Sequence, residues 1–380
     1  MRGHRRRRLL AALTWAAALM ILAILYYKQR TGSNDKDDSQ HGGEPKGHHH
    51  HHHHSHTIPS KKIWQVTGDS RVQPARVCAQ PWITSNPGWA HTLHTDSTAA
   101  AFAAALEEQQ QHRDDDDDVV VGGGDDEDED DTNNRLSEAL AELKNRGIRA
   151  DLIRYMLLRA EGGVYTDLDT VPLRGIDDWL PWGYWLDRGA RLVVGVEWDE
   201  LASHPDRDPD PDGEGGDQAE GRSRQRPRPK GVLHPVQFCQ WTIVAAAPGH
   251  PVFKAMISRA LATLAGHRAL WGAPTLRRVV LSEQDVLGIT GPAAWTEVLL
   301  AHMRGAGGGR PAWSGELSEL SGLRAPRLVG DVLVLPVDAF ASGMEHSGAT
   351  RVEDGVPETA VVRHLFRGSW REGNGDGPLC

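Results

Sequence analysis

One run, Ala150 to Pro172, constrains this chain more than any other. Asp151, Leu152, Ile153, Met156, Leu157 and Ala160 fall at helical spacing, and Asp151 is placed to cap the start of that helix. Gly162-Gly163 stops it, and Val164-Tyr165-Thr166 opens an extended segment. Residues two apart on an extended chain share a face. Asp167 and Asp169 therefore point the same way, while Leu168 points into the core. Two carboxylates at a strand end, with no thiol beside them, suit Mn²⁺ or Mg²⁺ carrying a diphosphate. Asp151 and Arg154 lie three apart on one helix face, and the double-glycine turn can return that face toward the aspartates. An aspartate pair alone more often marks a solvated turn; the surrounding run gives this one its weight.

That run resembles the glycosyltransferase family whose members share a sugar-binding region containing a D-x-D motif, family thirty-two. The shared pattern, R-x-D-x-x-R-Y-x-x-L-x-x-x-G-G-x-Y-x-D-x-D, is matched by Arg149, Asp151, Arg154, Tyr155, Leu158, Gly162, Gly163, Tyr165, Asp167 and Asp169. Other blocks agree. Ile58 to Gln65 is similar to the family's opening strand. Val236 to Val252, V-Q-F-C-Q-W-T-I-V-A-A-A-P-G-H-P-V, resembles the fungal subgroup of initiation-specific α-1,6-mannosyltransferases. Val361 to Arg371 contains H-x-F-x-G-S-W.

The resemblance implies an α/β fold of the GT-A nucleotide-sugar-binding type, with a mixed, mostly parallel sheet flanked by helices. It implies mannose transfer from GDP-mannose to an N-glycan core in α-1,6 linkage, with retention and with Mn²⁺ or Mg²⁺. It places Asp151, Arg154, Tyr165, Asp167, Asp169, Trp64, Gln65, Ser369 and Trp370 around the donor, Asp167, Asp169 and His364 on the metal, and Asp285 and Gly291 toward the acceptor; the alternatives are Trp64 as plain core and His364 as a hydrogen-bonding neighbour of the ligands. Gln237 or Gln240 faces the donor sugar, and His250 caps a turn. No catalytic nucleophile is evident. Two rival readings are a mannosyltransferase acting on inositol phosphoceramide and a scaffold subunit of a mannan polymerase complex; a third, a metal-binding acidic protein, is suggested by the aspartate runs and the histidine tract.

Charge is blocked along the 380 residues, so the net of −10 describes no part of the chain well. Arg2 and Arg5 to Arg8 precede an uncharged stretch, Leu9 to Tyr27, long enough to cross a bilayer. The expected layout is a cytosolic tail (1–8), a transmembrane anchor (9–27), a disordered lumenal stem (28–57), a catalytic domain (58–371) and a C-terminal tail (372–380). That is the layout of a single-pass type II Golgi protein. Two disordered insertions are expected at about 113–133 and 202–230, where acidic runs and a Pro/Arg-rich stretch fall. No basic patch argues for nucleic acid. His48 to His54 reads as spacer. Of the cysteines, Cys78 and Cys239 are the expected pair, with two buried thiols as the equal alternative.

Overall fold

Lys62–Thr67 forms the first strand, β1. The computed structural model describes residues 60–116, 136–180, 188–202, 228–229, 231–305, 313–344, 347–350, 354–368 and 377–380. These lie in one unit, Ser55–Cys380. The expected anchor and stem lie outside them, as do most of both expected insertions and Ser369 and Trp370. No helix among the described residues is long and apolar enough to cross a membrane.

After β1 come α1 (Val72–Ser85), β2 (Ala90–Thr95), α2 (Asp96–Asp116), α3 (Arg146–Glu161), β3 (Gly163–Thr166), β4 (Thr170–Pro172) and β5 (Leu192–Asp199). They are followed by β6 (Val236–Phe238), β7 (Thr242–Ala245), α4 (Pro251–Leu270), α5 (Glu283–Ile289), α6 (Pro292–Gly305), β8 (Arg327–Val329), β9 (Val332–Leu335), α7 (Val337–Ala341) and β10 (Val362–His364). The sheet order is β2-β1-β3-β7-β5-β9-β8, with β6 paired to β5. Strands β1, β2, β3, β5 and β9 run one way; β6, β7 and β8 run against them. A second sheet pairs β10 with β4.

Alternation along the strands makes a sheet covered on both faces. Trp64, Tyr165, Val194, Ile243 and Val334 pack with α3, α4 and α6 in one core. Their strand neighbours Ile63, Val164, Val193, Val244 and Leu333 pack with Trp82 of α1, Phe340 of α7 and Val362 in the other. In the first core Trp295 stacks on Tyr155 at 5.4 Å and on Phe253 at 5.9 Å between ring centroids. Burial of each such ring contributes on the order of 2–3 kcal/mol.

Several expectations change at this level. The helix before the aspartates starts at Arg146, where the Asn145 side chain accepts from the Ile148 N–H at 3.1 Å. Asp151 sits more than a turn inside it, so its carboxylate is spared from capping. Trp82 ends up inside α1, and the extended stretch after Asn86-Pro87-Gly88-Trp89 is β2, which begins at Ala90. The backbone of α2 continues into the first aspartates of the acidic run. Cys78 is bonded to Cys380, while Cys239 is buried as a free thiol whose ionisation burial opposes. Spacing could not select that partner, because the C-terminal segment folds back onto α1: the Arg71 guanidinium donates to the Gly377 carbonyl, and Leu379 packs on Ala75 and Leu168.

Candidate active site

Strands β1, β3 and β5 end at the same edge of the sheet, and a cavity of about 540 Å³ opens there. That volume suits a small-molecule ligand. Gly162 ends α3 with φ 63° and Gly163 opens β3 with φ 91°, a left-handed pair that turns the chain sharply from helix to strand. The turn sets the helix face carrying Asp151 and Arg154 against the strand end carrying Asp167.

Arg154 is buried and organises this corner. Its Nη2 lies 2.9 Å from Asp151 Oδ1 and 3.0 Å from Asp167 Oδ1, and its Nη1 donates to the Gln240 carbonyl at 2.9 Å. The guanidinium also lies over the Tyr165 ring, 4.6 Å from its centroid. Burial alone would weaken its charge, but Asp167, Tyr165 and Asp151 hold it firmly protonated. Tyr165 donates from its hydroxyl to Asp167 Oδ1 at 2.7 Å, and Thr290 Oγ1 to Asp151 Oδ2 at 2.6 Å. Burial lifts the Asp151 carboxyl to about 6 even against Arg154. It lifts Asp167 as well.

His364 reaches the aspartates through the small sheet. In the antiparallel β10–β4 ladder His364 faces Thr170, next to Asp169. Its ring lies flat on Trp241, 4.6 Å between centroids and 6° between planes, with Phe366 edge-on at 3.8 Å. Nε2 is 3.1 Å from Asp169 Oδ1. The following turn clamps Asp169: Leu365 N–H donates to its carbonyl at 2.7 Å and Arg367 N–H to Oδ2 at 2.9 Å. Phe366 takes φ 50° to make that turn, a left-handed conformation uncommon for an aromatic residue. Although burial pushes the Asp169 carboxyl up, His364 and the backbone donor bring it below the usual range.

Asp167, Asp169 and His364 each place one donor atom within 4.8 Å of the others. His364 Nδ1 is buried without a hydrogen-bond partner. Hard oxygens with one imidazole fit Mn²⁺ or Mg²⁺. A second group with that capacity, His250, His302 and Asp331, lies at the opposite edge of the sheet, away from the cavity. His302 Nε2 is 2.8 Å from Asp331 there, and His250 caps α4 through Val252 N–H.

Of the residues expected from sequence, Asp151, Arg154, Tyr165, Asp167, Asp169, His364 and Gly291 line the cavity. Trp64 does not: it is buried in the core and donates its indole N–H to the Gly162 carbonyl at 2.7 Å, bracing the double-glycine turn. Nor does Gln65, which is buried and donates to the Asp167 carbonyl at 3.2 Å while meeting His91 at 2.9 Å. Asp285 is engaged in a capping box with Ser282 at the start of α5. Gln240 lines the cavity and Gln237 lies behind it. Sequence reasoning missed Glu197, Thr290 and the role of Trp241 beneath His364; a lone Glu at the end of an apolar strand was the one signal for the first.

Residues 75–184 match the family described as glycosyltransferase sugar-binding region containing DXD motif. Over a longer stretch the chain is similar to fungal proteins named initiation-specific alpha-1,6-mannosyltransferase. The one from Schizosaccharomyces pombe is 28% identical over 317 residues, covering 83% of this chain and 65% of the relative. That from Candida albicans is 29% identical over 239 residues, covering 59% and 54%. That from Saccharomyces cerevisiae is 24% identical over 331 residues, covering 59% and 63%. The chain thus spans less than two thirds of the length of each. Among solved structures it is similar to the PaToxG glycosyltransferase at 14% identity and TM-score 0.34, over 66% of this chain and 73% of that one.

Proposed function

We propose that this chain is a metal-dependent glycosyltransferase that moves mannose from GDP-mannose to an N-glycan core, in α-1,6 linkage with retention. We place it as a single-pass type II protein of the Golgi membrane. The observation that carries the reading is the convergence of Asp167, Asp169 and His364 on one cavity beside Asp151 and Arg154. The names of the relatives support mannose and the linkage.

Transfer breaks the bond between the anomeric carbon and a diphosphate oxygen, and negative charge gathers on the leaving group. Asp167, Asp169 and His364 would hold Mn²⁺ or Mg²⁺, which would offset that charge as a Lewis acid. Arg154 fixes Asp151 and Asp167 in one geometry. Asp151, its second oxygen held by Thr290, is placed to orient a sugar hydroxyl. Trp241 stacked on the His364 ring and Phe366 edge-on to it restrain that ring, so little is lost in ordering it when ligand arrives.

The test uses the full chain with GDP-mannose, Mn²⁺ and a labelled oligomannose N-glycan of the Man8 type, beside Asp169→Ala. One added mannose is expected, removable by an α-1,6-specific mannosidase, and the variant should fall by at least tenfold and on the order of 10²-fold. Transfer that survives both Asp169→Ala and a chelator sinks the reading. GDP-mannose bound without transfer would shift the acceptor, with inositol phosphoceramide next to try.

A further inference from the structure

We infer that Glu197, at the bulge of β5 beside Gln237, is the hydroxyl-binding group of a saccharide acceptor subsite in this cavity; the inference rests on the glycosyltransferase reading. The first ground is placement. β6 pairs with β5 through Val196 opposite Phe238 and Trp198 opposite Gln237, so Glu197 is the extra residue of a bulge. A bulge re-aims the side chain it carries and is over-represented beside active sites. Here it occurs where β5 ends at the cavity, and Glu197 forms part of the wall. β5 lies two strands across from β3 in the sheet. At the usual strand spacing the offset is about 10 Å. Glu197 is thus on the same rim as Asp167 yet outside the Asp167, Asp169 and His364 group.

The second ground is satisfaction. Glu197 is 7% exposed, and among the described residues its hydrogen bond is the one from Gln237 Nε2 at 3.1 Å. A carboxylate has room for about four such bonds, and leaving a buried one short is costly. Gln237 is itself fully used. Its Oε1 accepts from Leu233 N–H at 3.1 Å, and its amide also approaches the Gly231 carbonyl at 3.4 Å. It cannot turn to serve Glu197 further. It does hold the 231–233 segment, where Gly231 takes φ 93° and a Cβ there would meet Leu287 of α5 at 2.6 Å. Burial raises the Glu197 carboxyl to about 7. Near neutral pH the group can therefore either accept from or donate to a hydroxyl. A sugar hydroxyl offers both roles, whereas a phosphate would be repelled by the charged form.

The test measures binding of a Man8-type oligosaccharide to the full chain without donor, in wild type, Glu197→Ala, Glu197→Gln and Asp169→Ala. GDP-mannose binding with Mn²⁺ is measured in parallel. Loss of a hydrogen bond to a charged group should raise the saccharide Kd by about tenfold or more in Glu197→Ala and by a few-fold in Glu197→Gln. Asp169→Ala should leave saccharide binding unchanged, and both Glu197 variants should bind GDP-mannose within about twofold of wild type. Unchanged saccharide affinity in Glu197→Ala, a parallel loss of donor affinity in folded Glu197→Gln, or no saccharide binding by wild type would overturn the assignment. A wild type that binds saccharide but not GDP-mannose would defeat the donor reading and leave Glu197's role standing.

Discussion

Glu197 and Asp151 are carboxyls that folding makes harder to ionise. Burial raises Glu197 from 4.5 to about 7 and Asp151 from 3.8 to about 6. A raised acid binds more protons in the folded state than in the unfolded one between those values, so stability contributed by its neutral form is lost as pH rises through that window. Replacing Glu197 by Gln removes the burden. The variant should be more stable than wild type by about 1–3 kcal/mol at pH 8, with the difference vanishing near pH 4. Denaturant midpoints of both proteins across pH 4–8 check this, and a variant no more stable at pH 8 would show that water reaches the carboxylate freely. Asp169 behaves oppositely, since His364 and a backbone N–H stabilise its charge. The site thus mixes one carboxylate held charged, Asp169, with three that burial pushes toward the neutral form, Asp151, Asp167 and Glu197.

At the scale of elements, the double-glycine turn sets the site's geometry. A Cβ on Gly163 would meet the Lys62 carbonyl oxygen at 2.6 Å, in a backbone held at φ 91°. Gly163→Ala should cost about 1–3 kcal/mol from the φ alone. Pushing β3 from β1 should lower transfer further, on the order of 10²-fold for a shift near 1 Å. Gly249, at φ 78° with open space around it, is the control: Gly249→Ala should lose stability and keep activity. Melting temperature and transfer rate measured on both variants separate the two effects. This turn was readable in sequence because every determinant lies within a few residues. So were the aspartate pair and the helix before it. Trp64 stayed open in sequence between a stacking surface for the donor and plain core, because its face depends on which side of β1 the turn presses. Asp285 was misread because a carboxylate three residues after a serine looks the same in a cap and in a site. The bulge at Glu197 was invisible, since a bulge exists only once β6 has paired.

Across the whole molecule, the bond between Cys78 and Cys380 closes a loop of 302 residues and draws Leu379 into the cavity wall. Such a closure restricts the unfolded chain and should contribute about 2–5 kcal/mol. Cys380→Ser should lower the denaturant midpoint accordingly, and reductant should bring wild type down to the variant while leaving the variant itself unmoved. Equal midpoints with and without reductant would mean that packing of Leu379 and the Arg71 contact carry the segment unaided. The pairing was beyond sequence reasoning, because three cysteines permit every connectivity and only the docking of the C-terminal segment on α1 selects one.

The three-rung ladder between β10 and β4 works as a gauge of register. Val362 and His364 face inward and Arg363 outward, so a slip of one residue would swap an imidazole for a guanidinium beside the aspartates. Little of the main sheet would notice. A molecule in the slipped register would keep the pairing of the main sheet and lose the imidazole beside Asp169, so foldedness and the make-up of the site become separate quantities at this one short pairing.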